Sequence, residues 1–195
     1  MKLIRGSKLA DGSMLFWFGN TPVTCFQSQN KRWFVGDYKR NGVDTLKNNS
    51  IALFEGVSRR FSLSMGKDLS VKALCVSNNG TFVFCVFKEP DIKMQAVIVM
   101  SSEQKELFKL ETETHLTASS ISELGRYLAL SFANSKNKDC PYASKIEVFD
   151  LINGEVIFSK EKNDDIRYAD IEVLEPDGDV IAFFKGKKVG LITVS

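Results

Sequence analysis

Short apolar runs alternate with polar turns along the whole chain, and one combination recurs four times: an apolar run, a polar turn, then a second apolar run rich in aromatic residues. The copies occupy residues 23–35, 73–84, 120–130 and 171–183. Aligned on the last residue of the turn, they superpose Lys31, Gly80, Gly125 and Gly178, at intervals of 49, 45 and 53 residues. Internal periods of this length belong to stacked β units with about four strands in each. No long stretch keeps an uninterrupted 3.6-residue apolar period, so helices are not expected.

The second apolar run of each copy is apolar at nearly every position, as in residues 82–87 and 127–132. A strand with one wet face alternates, whereas a strand covered on both faces reads as a continuous run. A third strand follows in each copy, at residues 50–54, 96–100, 145–149 and 188–194, and a fourth in the first three, at residues 60–64, 106–110 and 155–159. The Asn153-Gly154 dipeptide between two such runs predicts a type I′ hairpin. The pattern predicts an all-β fold: a small β-propeller or half-propeller of about four four-stranded antiparallel blades, spanning residues 20–66, 70–111, 116–161 and 167–195 of a single domain, 1–195. The last copy lacks its fourth strand, and spare strands precede the first copy at residues 2–5 and 13–19. An N-terminal strand, Met14–Phe18, completing the last blade would close the ring and remove its edges.

The blade phrases carry a family likeness. Ser122-Glu123-Leu124-Gly125-Arg126-Tyr127-Leu128-Ala129 resembles the Ser-Pro-Asp-Gly-x-x-Leu-Ala phrase of WD-repeat blades, and Glu175-Pro176-Asp177-Gly178 keeps its Pro-Asp-Gly. Residues 146–151, followed by Asn153-Gly154-Glu155, are similar to the third strand of those blades, with Phe149-Asp150 where a Trp-Asp pair would stand. The resemblance runs from about residue 23 to the end and implies a divergent WD-repeat-like propeller scaffold, without implying a ligand. No Gly-His dipeptide precedes the blades, and the single histidine, His115, lies seven residues before Ser122. The buried hydrogen-bond network typical of WD blades is therefore not expected.

Composition narrows the function classes. With 195 residues, 44% of them hydrophobic and 26% charged, the chain is long enough to bury a core without covalent staples. A net charge of +2 with interspersed signs argues against a nucleic-acid partner. Four cysteines without a CxxC pair read as free, buried thiols in a reducing compartment. The longest early apolar run, Met14–Phe18, is too short for a secretory or membrane-spanning core, so the expectation is a cytoplasmic chain with no membrane partner.

Catalytic chemistry finds little support. His115 is the only imidazole available to a Ser-His or Cys-His pair and reads as a loop residue between blades. Ser64-Met65-Gly66-Lys67 matches Ser-x-x-Lys, but at the end of a predicted strand and without companion motifs. Asp164, Asp165 and Asp170, like Glu175, Asp177 and Asp179, read as solvated turn carboxylates without calcium-loop spacing. No catalytic, metal or cofactor residue is assigned, and no cofactor is expected. The leading reading is a non-enzymatic protein-binding module, of which a dedicated inhibitor such as a bacterial toxin-immunity protein is one form. Propeller geometry would gather residues 66–70, 88–93, 111–116, 134–143 and 161–167 on one face, where function concentrates in long loops. The candidate partner-binding residues there are Lys136, Lys138, Asp139, Tyr142, Asp164, Asp165 and Arg167. Two alternatives stand beside this reading: a ligand-binding or hydrolytic propeller with acidic residues or His115 at the channel mouth, and a structural half-propeller that assembles as a homodimer. A monomer is expected over the homodimer.

Overall fold

A computed structural model describes residues 3–9, 13–39, 48–88, 94–135, 139–162, 169–175, 177–184 and 187–193. These residues form four antiparallel sheets, each following chain order. The first runs β1 (Leu3–Lys8), β2 (Met14–Phe18), β3 (Thr21–Gln27), β4 (Trp33–Tyr38), β5 (Ser50–Glu55) and β6 (Ser58–Ser64). The second holds β7 (Leu69–Val76), β8 (Phe82–Lys88), β9 (Gln95–Met100) and β10 (Glu106–Thr112), and the third holds β11 (Leu116–Ile121), β12 (Tyr127–Phe132), β13 (Lys145–Asp150) and β14 (Glu155–Glu161). The fourth holds β15 (Ala169–Val173), β16 (Val180–Phe184) and β17 (Lys187–Ile192). The strands predicted from the repeats are all present. The inner strands face one another around an axis, since β3 and β4 contact β7, β7 contacts β11, and β11 contacts β15. Among the described residues no helix is long and apolar enough to cross a membrane.

Each of the first three sheets is buried on both faces because it stands between two apolar layers. Val35, Ile51 and Leu53 of the first sheet meet Val71, Ala73, Phe82 and Phe84 of the second. Val83, Val97 and Val99 on the second sheet's other face meet Leu128, Leu130 and Phe132. Tyr127, Ala129 and Val148 then meet Ile171, Val173 and Val180 of the fourth sheet. Neighbouring positions on β8 and β12 thus serve different layers, which is why those strands read as unbroken apolar runs.

The N-terminal strand departs from expectation. Met14–Phe18 does not complete the last blade; it pairs with β3, from Met14 opposite Cys25 to Phe18 opposite Thr21, and β1 pairs with its other edge. The reason is local. Gly19 adopts φ 64° at the first position of a two-residue turn, the geometry that folds adjacent strands into a tight hairpin with little loop entropy to lose. The hairpin then covers the face of the first sheet that has no blade beside it. Phe16 meets the Phe34 ring edge-on at 5.1 Å, and Phe18 meets Tyr38 and Phe54 at 5.7 and 5.4 Å. This buries a separate apolar layer containing Leu3, Val23 and Phe54. A second, smaller difference concerns residues 151–154. They form a four-residue connection between Asp150 and Glu155, in which Asn153 is not left-handed. Asp150 organises it by accepting from the Ile152 N–H at 2.9 Å, where a type I′ turn was expected.

The recurring turn also joins one blade to the next. Lys31, Gly80, Gly125 and Gly178 all take positive φ, at 61°, 84°, 78° and 82°. Ser28, Ser77 and Ser122 open the first three turns and are buried, with Ser28 and Ser122 accepting from the Trp33 and Tyr127 N–H groups at 3.0 and 2.9 Å. Between blades, the Asn30 N–H donates to Asn78 Oδ1 at 2.7 Å, and Asn78 donates from its N–H to Glu123 O at 2.8 Å and from Nδ2 to Glu123 Oε1 at 2.6 Å. Glu175 accepts from Ser122 Oγ at 2.6 Å and from the Leu124 N–H at 3.0 Å. The three turn glycines sit tight on the preceding blade: a Cβ on Gly80 would come within 2.8 Å of the Trp33 ring, and one on Gly125 within 3.0 Å of Thr81. Lys31 has no earlier blade at its side and is exposed, so a side chain fits there. Gly125→Ala should therefore cost about 1–2 kcal/mol in urea unfolding, from left-handed strain plus the Thr81 contact. Lys31→Gly should be neutral or stabilising by up to about 1 kcal/mol.

Candidate functional site

The inner strands leave a half-open cleft of about 970 Å³ along the axis, walled by Lys72 to Val76 of β7 and by His115 to Ile121 at β11. The first sheet contributes Lys8, Met14, Phe26 and Gln27, and the fourth contributes Ile171. Its walls are joined at the turn end, where the Cys75 thiol contacts the Ser119 side chain and the Ile121 backbone and Asn78 bonds to Glu123. At the other end Gln95 bridges the blades, accepting from Cys85 Sγ at 3.3 Å and donating to the Thr114 carbonyl. Two inner strands and the N-terminal edge strand lose register at the cleft: β7 between Ala73 and Cys75, β11 between Leu116 and Ala118, and β1 between Arg5 and Lys8. Such bulges turn consecutive residues to one side, and Leu74 and Cys75 both line the cleft as a result.

The electrostatics of this space are basic and neutral-polar. Lys8, Lys72 and His115 line it together with the hydroxyls of Thr117, Ser119 and Ser120, and no described lining residue carries a carboxylate. Acidic residues were the expectation for a ligand site at the channel mouth; Glu175 instead lies in the inter-blade turn, and Asp164 and Asp165 lie outside the described residues. Burial pushes the Cys75 and Cys85 thiols up to about 12, so they are protonated at neutral pH and poor nucleophiles. All four cysteines are free, as expected. Asp37 sits just behind the β7 wall, where burial raises its pKa against the opposing hydrogen bonds. Its Oδ2 accepts from the Ala73 N–H at 2.8 Å and its Oδ1 from Asn48 Nδ2. It thereby ties β4 to the free edge of β7. Among the described residues no cluster of three or more His, Cys, Asp or Glu side chains could hold a metal ion.

Two of the seven predicted partner-binding residues are described. Asp139 is exposed; Tyr142 is half-buried, stacked on Phe132 at 5.1 Å and packed against the layer between the second and third sheets. Lys136, Lys138, Asp164, Asp165 and Arg167 lie outside the described residues. Sequence reasoning missed Lys8 at the end of β1, Lys72 among the apolar residues of β7, and Lys162. The Lys162 ammonium donates to Ser131 Oγ at 3.0 Å and Thr117 Oγ1 at 3.4 Å, and desolvation lowers its pKa to about 8. The only trace of the site in the sequence is the small hydroxyl run at residues 117–120, where the other inner strands are bulkier. A depressed lysine costs the folded state stability below pH about 8, a cost that fades as pH rises toward the unfolded value near 10.5. Lys162→Met should thus gain more stability over the parent chain at pH 7 than at pH 10, which urea titrations at the two pH values will show.

No known family matches the chain's sequence, and no curated protein does. Solved structures match its fold. The β-propeller domain of Cps50 (Swd1) from Myceliophteria thermophila aligns with a TM-score of 0.54 at 9% identity, over 89% of this chain and 52% of that one. KlHsv2 with loop 6CD replaced by a Gly-Ser linker gives 0.55 at 12% identity, over 89% and 59%. The WD40 domain of Toxoplasma gondii coronin gives 0.51 at 12% identity, over 87% and 49%. The chain spans about half to three-fifths of the length of these propellers. At such identities the likeness is one of fold: four sheets in the arrangement of a divergent WD40-like β-propeller.

Proposed function

We propose that this chain is a non-enzymatic protein-interaction module of the cytoplasm, with its partner seated on the face opposite the recurring turns. The observation that carries this reading is the inequality of the two faces. The turn face is closed by short connections hydrogen-bonded from blade to blade. From the second sheet onward, the strands that lead into the longer connections finish at the end away from those turns, β8 at Lys88, β12 at Phe132 and β14 at Glu161. A rigid scaffold with unequal loops is how binding surfaces are commonly built. The finer form of the proposal is a dedicated inhibitor, such as a toxin-immunity protein, that covers the active site of an enzyme partner.

Capture of the partner on the tagged chain from its native cells, followed by mass spectrometry, gives the reference affinity. Reversing the charges of Lys136, Lys138, Asp164 and Arg167 together should then weaken that affinity tenfold or more, about 1.4 kcal/mol. Reversing Glu103 and Lys105 on the turn face should leave it unchanged. Equal affinity in both variants contradicts the proposed face. For the inhibitor form, a stoichiometric amount of the chain should abolish the partner's activity.

A second reading, a half-propeller completed by another copy, is favoured by the chain's spanning only about half of the propellers it matches. Light scattering decides between them: the monomer reading predicts the chain mass of 21.9 kDa, the other twice that value.

A further inference from the structure

We propose that the axial cleft is a binding site for a small organic anion with an apolar or aromatic body. This goes beyond the protein-interaction reading and does not depend on it.

Three positively charged or protonatable side chains converge on the cleft from three different sheets: Lys8 on the N-terminal hairpin, Lys72 on β7 and His115 at the start of β11. Among the described residues neither lysine forms an ion pair, although surface cations of this chain elsewhere do, as Arg32 and Arg60 do with Glu55 and Arg126 does with Asp150. The Asp37 carboxylate, which senses the charge of Lys72, is already committed to the Ala73 N–H and the Asn48 amide. Lys162 adds a fourth cation behind the wall. It reaches the cleft through Thr117, whose Oγ1 lies 3.4 Å from its ammonium, and among the described residues its hydrogen-bond partners are the hydroxyls of Thr117 and Ser131. Like charges gathered in a concave, partly dry space raise the local potential and favour an anion.

The rest of the lining defines the body of the ligand. Met14, Phe26, Phe87, Leu116 and Ile171 supply apolar surface on several sides of the same space. The hydroxyls of Ser119 and Ser120 and the amide of Gln27 give neutral donors suited to a carboxylate, sulfonate or phosphate oxygen. A volume of about 970 Å³ lies at the upper end of the roughly 300–1,000 Å³ typical of small-molecule sites. Ser70, two residues before Lys72 on the same side of β7, holds the one buried side-chain oxygen without a hydrogen-bond partner among the described residues. The protonated thiols of Cys75 and Cys85 keep the binding non-covalent.

The test uses the whole folded chain and anilinonaphthalene sulfonate, a fluorescent anion with an aromatic body, at neutral pH. Expected is saturable binding with one site per chain, weakened at least fivefold by Lys72→Gln and by Lys8→Gln and further by the pair, and untouched by Lys105→Gln on the turn face. Benzoate, inorganic phosphate and adenosine monophosphate then compete: displacement by the two aromatic anions but not by phosphate supports a ligand with an apolar body. Displacement by phosphate alone overturns that part of the proposal. Far-ultraviolet circular dichroism and the urea midpoint establish that each variant is folded. Should a lysine variant unfold, the exposed His115→Gln, expected to weaken binding at least twofold at pH 6, takes its place. Binding that is absent, or unchanged in folded variants, overturns the site. The charge-reversed loop variant, which reads the protein partner, should bind the probe as the parent does.

Discussion

Hydrogen bonds between the recurring turns set the spacing and orientation of the blades. Asn30 donates to Asn78, Asn78 donates to Glu123, and Ser122 and Leu124 donate to Glu175, so the four turns form one row. Apolar layers between sheets supply more free energy, but they are indifferent to small slides of one sheet over another. Directional bonds at fixed positions are not. Turn glycines at φ near 80° let each turn approach the preceding blade closely enough for those bonds to form.

Two consequences follow from drawing the blades together at one end. The axial cleft between β7 and β11 starts beside the turn end, where the Cys75 thiol contacts Ser119 and Ile121, and reaches Gln95, which bridges to the Thr114 carbonyl. The exposed face of the first sheet also needs a cover, and the β1–β2 hairpin supplies it through Phe16 and Phe18. A terminal repeat in a stacked protein always faces this problem, because its outer side has no neighbouring repeat to bury it. Lys8 reaches the cleft only because the hairpin is folded back onto the first sheet.

The scaffold was largely legible in the sequence because its signals are local. Residues aligned as the ends of the turns prove to be the left-handed ones, Lys31, Gly80, Gly125 and Gly178, and the continuous apolar runs at β8 and β12 prove to be buried on both faces. The fate of Met14–Phe18 was not legible. The run is apolar at every position and marks a strand that must be buried, but two sheets could have taken it, and the short turn at Gly19 favoured the nearer partner over a closure spanning the whole chain. The cleft left almost no trace, since Lys8, Lys72 and His115 come from three sheets and form no motif. The low pKa of Lys162 follows from burial alone, and burial of one lysine beside Ser131 is a property of the folded chain. Tyr142 looked like a loop residue available to a partner, and its stacking on Phe132 depends on how residues 139–144 fold back onto the third sheet.

Native-state hydrogen exchange at the turn amides tests the inter-blade row most directly. In an isolated hairpin the N–H groups of Asn30, Asn78 and Leu124 would point to water and exchange at the rate of an unstructured chain. Here they donate to Asn78, Glu123 and Glu175 of neighbouring blades. The account predicts protection of these three amides comparable to that of strand amides in β8 and β12, with the Asn30 amide losing it in Asn78→Ala. Exchange of all three at unprotected rates in the parent chain would contradict it.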